Sequence, residues 1–325
     1  MDIFGLLQNT LNWLIHPQTL AYALAALGLA VHFGYTGLLN MGVAGFMAIG
    51  AYGYAMSVLH LGLPWYLAML VALVASAIFA LILGIPTLRL RADYLAIVTL
   101  AAAEVVRYML TTTVFDDWTN SADGLAQYHD SFRGSNPLPE GTYGIWPWIY
   151  NEQGWWMRIF GILLVAGAAW WVWSLMRSPW GRVIKGIRED EDAVRALGKN
   201  VFGYKMQSLI FGGVLAALGG IVISLQSAVV PSFYQTNLTF MVWTALLLGG
   251  AATVFGPIVG SMLFWFVMSL LDYALPALAN MGILPISNIQ AGILRFIIVG
   301  VALMLLVIFR PQGLFGNKKE LTFAK

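Results

Sequence analysis

The densest group of residues that could do chemistry in this chain is a charged segment at positions 187–205, IREDEDAVRALGKNVFGYK. Lys, Arg, Asp and Glu make up only 10% of the 325 residues, yet four acids stand in a row at 189–192. Acids at the start of a helix complement the positive end of its dipole, and Gly198 is a natural stop at the other end. The pattern therefore predicts a short helix over residues 190–197 with a polar N-terminal half.

Such a short helix is not stable alone in water, so it must pack on something. Its small apolar face could pack on the rest of the chain, or it could be offered to a soluble partner. A charged loop that only sets topology is the simpler alternative, although topology needs Lys and Arg rather than acids. The LGKN sequence at 197–200 lacks the first Gly and the hydroxyl residue of a phosphate-binding loop, so this segment cannot hydrolyse nucleotide.

Two acid–base pairs lie inside apolar stretches, where charge is expensive. Glu104 and Arg107 are three residues apart and share a helix face, and Asp272 and Arg295 lie at matching depths on adjacent predicted spans. Mutual neutralisation explains both pairs, and Glu104 is the strongest candidate for a residue on a transport pathway. The four His are scattered and Cys is absent, so we expect no metal site, disulfide or thiol chemistry. A net charge of +2 gives no support to nucleic-acid binding.

Long apolar runs recur from residue 20 to residue 309, and 60% of the residues are hydrophobic. A helix needs about 20 apolar residues to cross the hydrocarbon core of a bilayer, and these runs are too continuous for barrel strands. The sequence therefore predicts an all-α integral membrane protein, a polytopic helical bundle of about nine (8–10) spans. The predicted spans are 19–35, 38–59, 64–84, 94–112, 156–176, 206–228, 237–255, 258–277 and 289–309. Residues 1–17 are predicted to form an interfacial amphipathic helix, which Pro17 ends.

The uneven distribution of Lys and Arg among the loops predicts the orientation. One side carries Arg89, Arg91, seven basic residues between 177 and 205, and, after the last span, Arg310, Lys318, Lys319 and Lys325. The other side holds the acidic, turn-rich loop 113–155. We therefore predict an external N-terminus, one transmembrane domain at 18–316 with an external loop at 113–155 and a cytoplasmic loop at 177–205, and a cytoplasmic tail at 317–325. The external loop is either a plain connector or a docking surface for a substrate-delivery partner.

The stretch GYTGLLNMGVAG at 34–45 is the best candidate for a break in a span, because it holds four Gly and two polar residues. A half-helix N-terminus attracts anionic groups and freed carbonyls attract cationic groups, so a broken helix can hold a small solute that carries both charges. The alternative is that these small residues only let helices pack closely. The candidate pathway residues are Thr36, Gly37, Asn40, Gly42 and Glu104.

Five motifs, in this order, resemble the branched-chain amino-acid permease family of ABC importers, LIV type. They are GYTGLLNMGVAGFMAIGAY (34–52), IPTLRLRADYLAIVTLA (85–101), GRVIKGIREDEDAVRALGKNVFGYK (181–205), LLGGAATVFGPIVG (247–260) and LRFIIVGVALMLLVIFRPQGLFG (294–316). Glu191, Ala193 and Gly198 approximate the E-x-A-x-x-x-G pattern of that family's cytoplasmic coupling loop, with the Gly one residue late. Val43 is a departure, since the family often carries His or Gln there, and any substrate role of that position stays open.

The resemblance implies a permease subunit of an ATP-driven importer in a bacterial plasma membrane, which forms part of the path for Leu, Ile and Val. The coupling segment would move with the ATPases and carry that motion to the fifth and sixth spans. Its implied coupling residues are Glu189, Asp190, Glu191, Asp192, Ala193, Arg195, Leu197 and Gly198. The implied partners are a second homologous permease, two ATP-binding ATPase subunits, an extracytoplasmic substrate-binding protein and the lipid bilayer. ATP and Mg²⁺ are expected on the ATPases, with no cofactor on this chain, which is then not an enzyme.

Other functions stay open at this point. Permeases of the same family also carry urea and short amides. A standalone secondary transporter would need a coupling path of ionisable residues, ideally repeated in two inverted halves, and the sequence shows no convincing repeat. A membrane enzyme would need a cluster of catalytic side chains, and none is evident.

Overall fold

The computed structural model describes residues 3–90, 92–282, 284–285, 287–310 and 312–316. Within these residues the chain forms fourteen α-helices and one hairpin of two strands. The helices are α1 Ile3–Asn12, α2 Pro17–Leu29, α3 Val43–Leu59, α4 Trp65–Thr87, α5 Ala92–Thr111, α6 Asp116–Thr119, α7 Asp130–Arg133, α8 Glu152–Arg177, α9 Pro179–Glu189, α10 Glu191–Ala196, α11 Val201–Gln226, α12 Thr236–Gly249, α13 Phe255–Asn280 and α14 Asn288–Phe309. The strands are β1 Thr142–Ile145 and β2 Trp148–Asn151.

The apolar helices agree with the all-α prediction. Seven helical stretches of the described chain are long and apolar enough to cross a membrane, and α3 and α12 are apolar but shorter. Each of the nine predicted spans overlaps one of these nine elements. The predicted second span was wrong at its start, since α3 begins at Val43 rather than at residue 38. The number of helices that cross the bilayer stays a prediction.

Helix α2 lies at the centre of the bundle, between α3, α8, α11, α12 and α13. Twelve of its 13 residues are buried, which fits a helix that is apolar on all sides. Its backbone approaches α11 closely, because a Cβ atom on Gly28 would lie 2.3 Å from the carbonyl oxygen of Gly212. Close packing through small residues is the usual way in which membrane helices associate.

The ends of the helices form two separate polar regions. The coupling end consists of α9, α10, the α4–α5 turn, the α12–α13 turn and residues 312–316, and there Leu314 N–H donates to the Leu248 carbonyl. The loop end consists of the 113–151 segment with residues 60–64 and 227–235, joined by an isolated bridge between Leu125 and Val229. Most described basic residues lie at the coupling end, which agrees with the predicted asymmetry. The cytoplasmic assignment of that end stays a prediction, and Arg91 and the 317–325 tail lie outside the described residues.

The loop end is more ordered than its turn-rich sequence suggested. Residues 142–151, which include the IWPWIY sequence at 145–150, form the hairpin β1–β2. The hairpin turns at Trp146 and Pro147 and packs on the N-terminal helix α1. Trp148 Nε1–H donates to the Leu11 carbonyl over 3.2 Å, and the Tyr150 hydroxyl donates to Asn12 Oδ1 over 2.7 Å. The hairpin thereby holds α1 against the bundle, where α1 also contacts α13. The interfacial position of residues 1–17 stays a prediction.

Candidate functional site

The charged segment contains the end of α9, the whole of α10 and the first residues of α11. Asp190 caps the N-terminus of α10, because its Oδ1 accepts hydrogen bonds of 3.0 Å from the backbone N–H groups of Asp192 and Ala193. Gly198 follows the helix with a φ of +75°, which an L side chain rarely adopts. The short helix with these two ends is present as predicted. Glu189 was placed wrongly at its start, since it ends α9, and the extended backbone of Asp190 separates the two helices.

Helix α10 packs inward through one residue and presents the others. Val194 is buried and lies against Gly186 of α9. Ala193 and Ala196 are exposed, and 79% of Leu197 is exposed. Both alternatives considered for this helix therefore apply, because Val194 packs on the rest of the chain and a small apolar surface remains exposed.

The acids of this segment pair with bases on either side. Arg195 contacts Glu191 and Asp192 over 2.8 Å each, within α10. Glu191 also pairs with Lys205, whose side chain is 13% exposed, and this contact ties α10 to the first turns of α11. Exposed pairs such as those of Arg195 contribute little stability, whereas the Lys205 contact fixes the position of α10 on the bundle.

Arg188, at the end of α9, makes the contact that reaches deepest into the bundle. Its Nη1–H donates to the carbonyl oxygen of Gly34 over 2.5 Å, and its side chain is only 14% exposed. Gly34 lies in a π-helical turn at Ala30–Tyr35 that continues α2. No backbone N–H in the described part of the chain donates to this carbonyl, since the helix ends just after it. The guanidinium therefore caps the C-terminal end of the central helix, where a cation is favoured.

The central helix breaks where the GYTGLLNMGVAG sequence predicted a break. Residues 36–42 are not helical, and α3 resumes the helix at Val43. Gly37 has a φ of +77°, and a Cβ atom there would lie 3.3 Å from Arg188 Cγ. The Arg188 side chain therefore packs against the break.

Asn40 holds the break together and is fully buried. Its Oδ1 accepts from Gly42 N–H over 2.7 Å, and its backbone carbonyl accepts from Trp243 Nε1–H over 3.1 Å. Its Nδ2 lies 3.1 Å from His32 Nδ1, and His32 Nε2 lies 3.1 Å from the Leu209 carbonyl. Because a carbonyl only accepts, Nε2 donates and Nδ1 accepts from Asn40, so both polar atoms of the Asn40 side chain are hydrogen-bonded.

Thr36 is bonded in the same way. Its hydroxyl donates to the Val31 carbonyl over 2.7 Å and lies 2.5 Å from Ser208 Oγ on α11. Three of the predicted pathway residues, Thr36, Asn40 and Gly42, are therefore brought together, with their polar groups satisfied by protein. A substrate that contacts them must first open the break.

Glu104, the third polar candidate, lies at a different contact. It pairs with Arg107 over 2.7 Å, as its spacing on α5 predicted. Its other carboxylate oxygen accepts from the Thr236 hydroxyl over 2.6 Å and from Thr236 N–H over 3.2 Å. These bonds join α5 to the first turn of α12 and do not reach the break. Asp272 and Arg295 form an ion pair between α13 and α14.

The structure adds functional candidates that the sequence interpretation left out. They are Arg188, Lys205, His32, Ser208, Trp243 and Thr236. His32 and Ser208 carried a usable signal, since polar residues inside apolar spans are rare and usually have partners. Arg188 carried no local signal, because the residue it contacts is 154 positions away.

A cavity of about 290 Å³ connects the coupling segment with the break. Thr36 and Gly37 line it from the break, and Arg188, Glu191 and Lys205 line it from the coupling end. A groove of about 800 Å³ continues outward along α10, past Arg89, Arg195 and Phe202. The cavity and the groove share Glu191 and Lys205 in their lining, so open space leads from the exposed helix α10 to the interrupted central helix.

Comparison with known proteins explains this combination. The family model described as the permease component of branched-chain amino acid transport systems matches residues 10–309. The chain is 29% identical to the high-affinity branched-chain amino acid permease LivM of Escherichia coli, over 92% of this chain and 69% of that protein. It is 25% identical to a probable LivM permease of Methanocaldococcus jannaschii, over 93% and 92% of the two chains, and 28% identical to the guanosine permease NupQ of Bacillus subtilis, over 81% and 86%.

These matches cover nearly the whole transmembrane region, and with the seven long apolar helices they show a multi-pass protein of the bacterial plasma membrane. This chain belongs to the family of permease components of branched-chain amino acid transport systems.

Proposed function

We propose that the chain is the membrane-spanning permease subunit of an ABC importer that carries Leu, Ile and Val. The named LivM relatives support this substrate class. The contact between Arg188 and the Gly34 carbonyl carries the mechanistic part of the proposal. It connects the exposed coupling segment to the break in the central helix, so a movement of α9 and α10 acts directly on the residues that close the path.

ATP hydrolysis then takes place on separate subunits, which bind ATP and Mg²⁺ and leave this chain without a cofactor. Helix α10 docks on one ATPase through Ala193, Leu197 and the acids around them, and Leu197 offers an exposed apolar contact. A second, homologous permease completes the membrane part. A substrate-binding protein docks at the loop end, which faces outward.

Substrate passes when the break opens. The C-terminal carbonyls of the π-helical turn then face a path together with the N-terminus of α3, which suits an ammonium and a carboxylate respectively. Thr36, Gly37, Asn40 and Gly42 provide the contacts on this chain, and Glu104 contributes from α5. The burial of Thr36 and Asn40 supports a closed state in the present conformation.

The experiment is uptake of labelled leucine by membrane vesicles that contain the complete transporter, with isoleucine, valine, urea and guanosine as competitors. We expect isoleucine and valine to compete, and we expect uptake to require the ATPases. If only guanosine or urea competes, the proposed substrate class is wrong and the assignment as an importer subunit is retained. Leucine uptake without any ATPase would show a standalone transporter.

A charge reversal tests the coupling segment in the same vesicles. The combined variant Glu189→Lys, Asp190→Lys, Glu191→Lys and Asp192→Lys is expected to insert normally, to lose the copurifying ATPase and to reduce uptake to about a tenth or less, because charged groups at an interface are worth several kcal/mol when reversed. The matched control reverses Asp116 and Asp117, which are exposed at the loop end, and should retain the ATPase. Undiminished ATPase binding by the first variant would refute the coupling role.

A further inference from the structure

Arg158 is a buried cation without an acidic partner. It lies in the second turn of α8 at the loop end and is 8% exposed. Its Nη1–H donates to the Gly154 carbonyl over 2.8 Å, and its guanidinium carbon lies 3.4 Å from the centre of the Tyr150 ring. Its Nε is buried and has no hydrogen-bond partner, and none of the ion pairs in the described residues includes it. Because an unpaired buried charge is costly, this arrangement calls for an anion.

Arg158 lines a cavity of about 430 Å³ that also has a second cation, Arg133. Within the part of the chain that the structure describes, no Asp or Glu lines this cavity. Gln153 and Asn151 add amide groups at its rim. The cavity is therefore positively charged, and its size lies within the range of small-molecule sites.

Two helix ends add to this positive field. The 26-residue helix α8 begins beside the cavity, with Gly154 in its lining, and the 13-residue helix α2 begins at Pro17, which also lines it. The dipole of each helix favours an anion near its N-terminus, but Gly154 N–H already donates to Asn151 Oδ1 and Gln18 N–H to His16 Nδ1. The arginines therefore supply the donors. The α11 helix ends on the cavity at Gln226, and a helix C-terminus favours a cation instead. The cavity thus has one wall for a negative group and another for a positive group.

The remaining lining is apolar. Phe132, Met157 and Pro17 contribute carbon surface beside the two arginines. A small zwitterion with an aliphatic side chain matches all three features, since its carboxylate can accept two parallel hydrogen bonds from a guanidinium. Its ammonium matches the α11 end and its side chain matches the apolar wall.

We propose that this loop-end cavity is an entry site that binds the free amino acid through its carboxylate, with Arg158 as the principal ligand and Arg133 as the second. The assignment rests on the proposed function, which places the substrate-binding protein at this end. The site receives substrate before the break opens, and it is separate from the Asn40 network.

The test is direct binding of labelled leucine to the purified full chain in phosphatidylcholine nanodiscs. Leucinol, which keeps the ammonium and the side chain but lacks the carboxylate, is the matched competitor. We expect leucinol to compete at least about tenfold more weakly than leucine, and Arg158→Gln to weaken leucine binding by at least about tenfold, because removing one partner of a buried charge pair is costly. Arg133→Gln should weaken it by a smaller factor, since Arg133 is exposed.

Arg177→Gln is the control, because Arg177 is also on α8 and also stacks on an aromatic ring, 3.9 Å from Trp173, but at the opposite end of the helix. The Arg177→Gln chain should bind leucine with the same affinity as the unaltered chain. If Arg158→Gln does not yield folded protein, Arg133→Gln and leucinol decide the question without it. Equal binding of leucine and leucinol, or unchanged binding by the folded Arg158→Gln chain, would overturn the site.

An anionic lipid headgroup offers the same chemistry as a carboxylate. Nanodiscs with phosphatidylglycerol separate the two sources, since leucine should still bind and still require Arg158. If phosphatidylglycerol is retained through Arg158 and leucine does not bind in either lipid, the cavity is a headgroup site and the substrate assignment is wrong. Leucine uptake by the complete transporter would survive that result, so failure of this site is distinct from failure of the proposed function.

Discussion

The break in the central helix and the loop-end cavity are both polar, yet their polar groups are satisfied in opposite ways. At the break, Asn40 and Thr36 are buried and bonded to neighbouring helices. In the cavity, Arg158 is also buried, but in the described residues it has no acidic partner and its Nε is unbonded.

This difference indicates two roles, in which the break closes the path and the cavity binds a ligand. A network whose donors and acceptors all have partners holds one conformation and resists partial opening. An unpaired buried charge destabilises the empty protein and is relieved when a ligand of opposite charge binds. We therefore assign gating to the break and ligand capture to the cavity. Four changes test this contrast, and the first is expected to have the greatest effect.

The first change breaks the packing that closes the helix interruption. A Cβ atom on Gly34 would lie 1.7 Å from the Ala251 carbonyl oxygen, and a backbone atom cannot yield as a flexible side chain can. Gly34→Ala should cost more than the roughly 1–3 kcal/mol of ordinary overpacking and should abolish the yield of folded protein in detergent, measured by size-exclusion chromatography. Gly167→Ala on α8 is the control, since its Cβ would meet open space. Normal yield of Gly34→Ala would contradict the close packing.

The second change removes the centre of the saturated network. Asn40→Ala leaves Gly42 N–H and His32 Nδ1 without partners, and each buried unsatisfied group costs about 1–3 kcal/mol. The melting temperature of the purified protein should fall by several degrees, because the two costs add. An unchanged melting temperature would mean that the network does not hold the break closed.

The third change separates the coupling segment from the break. Arg188→Gln removes a charged hydrogen bond to the Gly34 carbonyl, which is worth about 1.5–3 kcal/mol. The break should then open more often, and the chain has no native Cys to interfere with a probe. A cysteine introduced by Leu38→Cys, at a position only 4% exposed, should react with maleimide about tenfold faster in the Arg188→Gln background.

Arg182→Gln is the matched control for that measurement, because Arg182 is exposed on the same helix. Arg188→Lys should give an intermediate rate, since Lys retains the charge but not the planar fork of donors. Equal labelling in all backgrounds would remove Arg188 from the transmission path.

The fourth change sharpens the contrast by the sign of its effect. Arg158→Met removes a buried charge that lacks an acidic partner and keeps much of its volume, so the empty protein should be as stable as before or more stable by up to about 1 kcal/mol. The same variant should lose the stabilisation that added leucine provides. A large fall in the melting temperature of the empty Arg158→Met protein would show that Arg158 is a structural residue.

Local features of the sequence were sufficient for the long apolar helices, for α10 and for the position of the break, but not for α9 or the hairpin β1–β2. Apolar runs predicted the helices because burying backbone in lipid demands long internally bonded segments. The Gly-rich stretch at 34–45 predicted the interruption, and the acids and Gly198 predicted both ends of α10, since caps depend on residues within one turn. Helix α9, which ends where Asp190 caps α10, was not predicted.

The contacts of each polar group depend on the tertiary structure and could not be predicted from local sequence. Arg188 and Gly34 are 154 positions apart in the sequence, and Trp243 and Asn40 are 203 positions apart. Each pair comes into contact only because α9, α2 and α12 pack together. In the sequence, Arg158 is an ordinary charged residue near the start of a predicted helix. It is buried beside a cavity only because α2, α8 and α11 pack together. The long apolar helices, the ends of α10 and the distribution of charge follow from the sequence alone, because they depend on neighbours along the chain. The partners of the charges depend on neighbours in space, and helix packing supplied them.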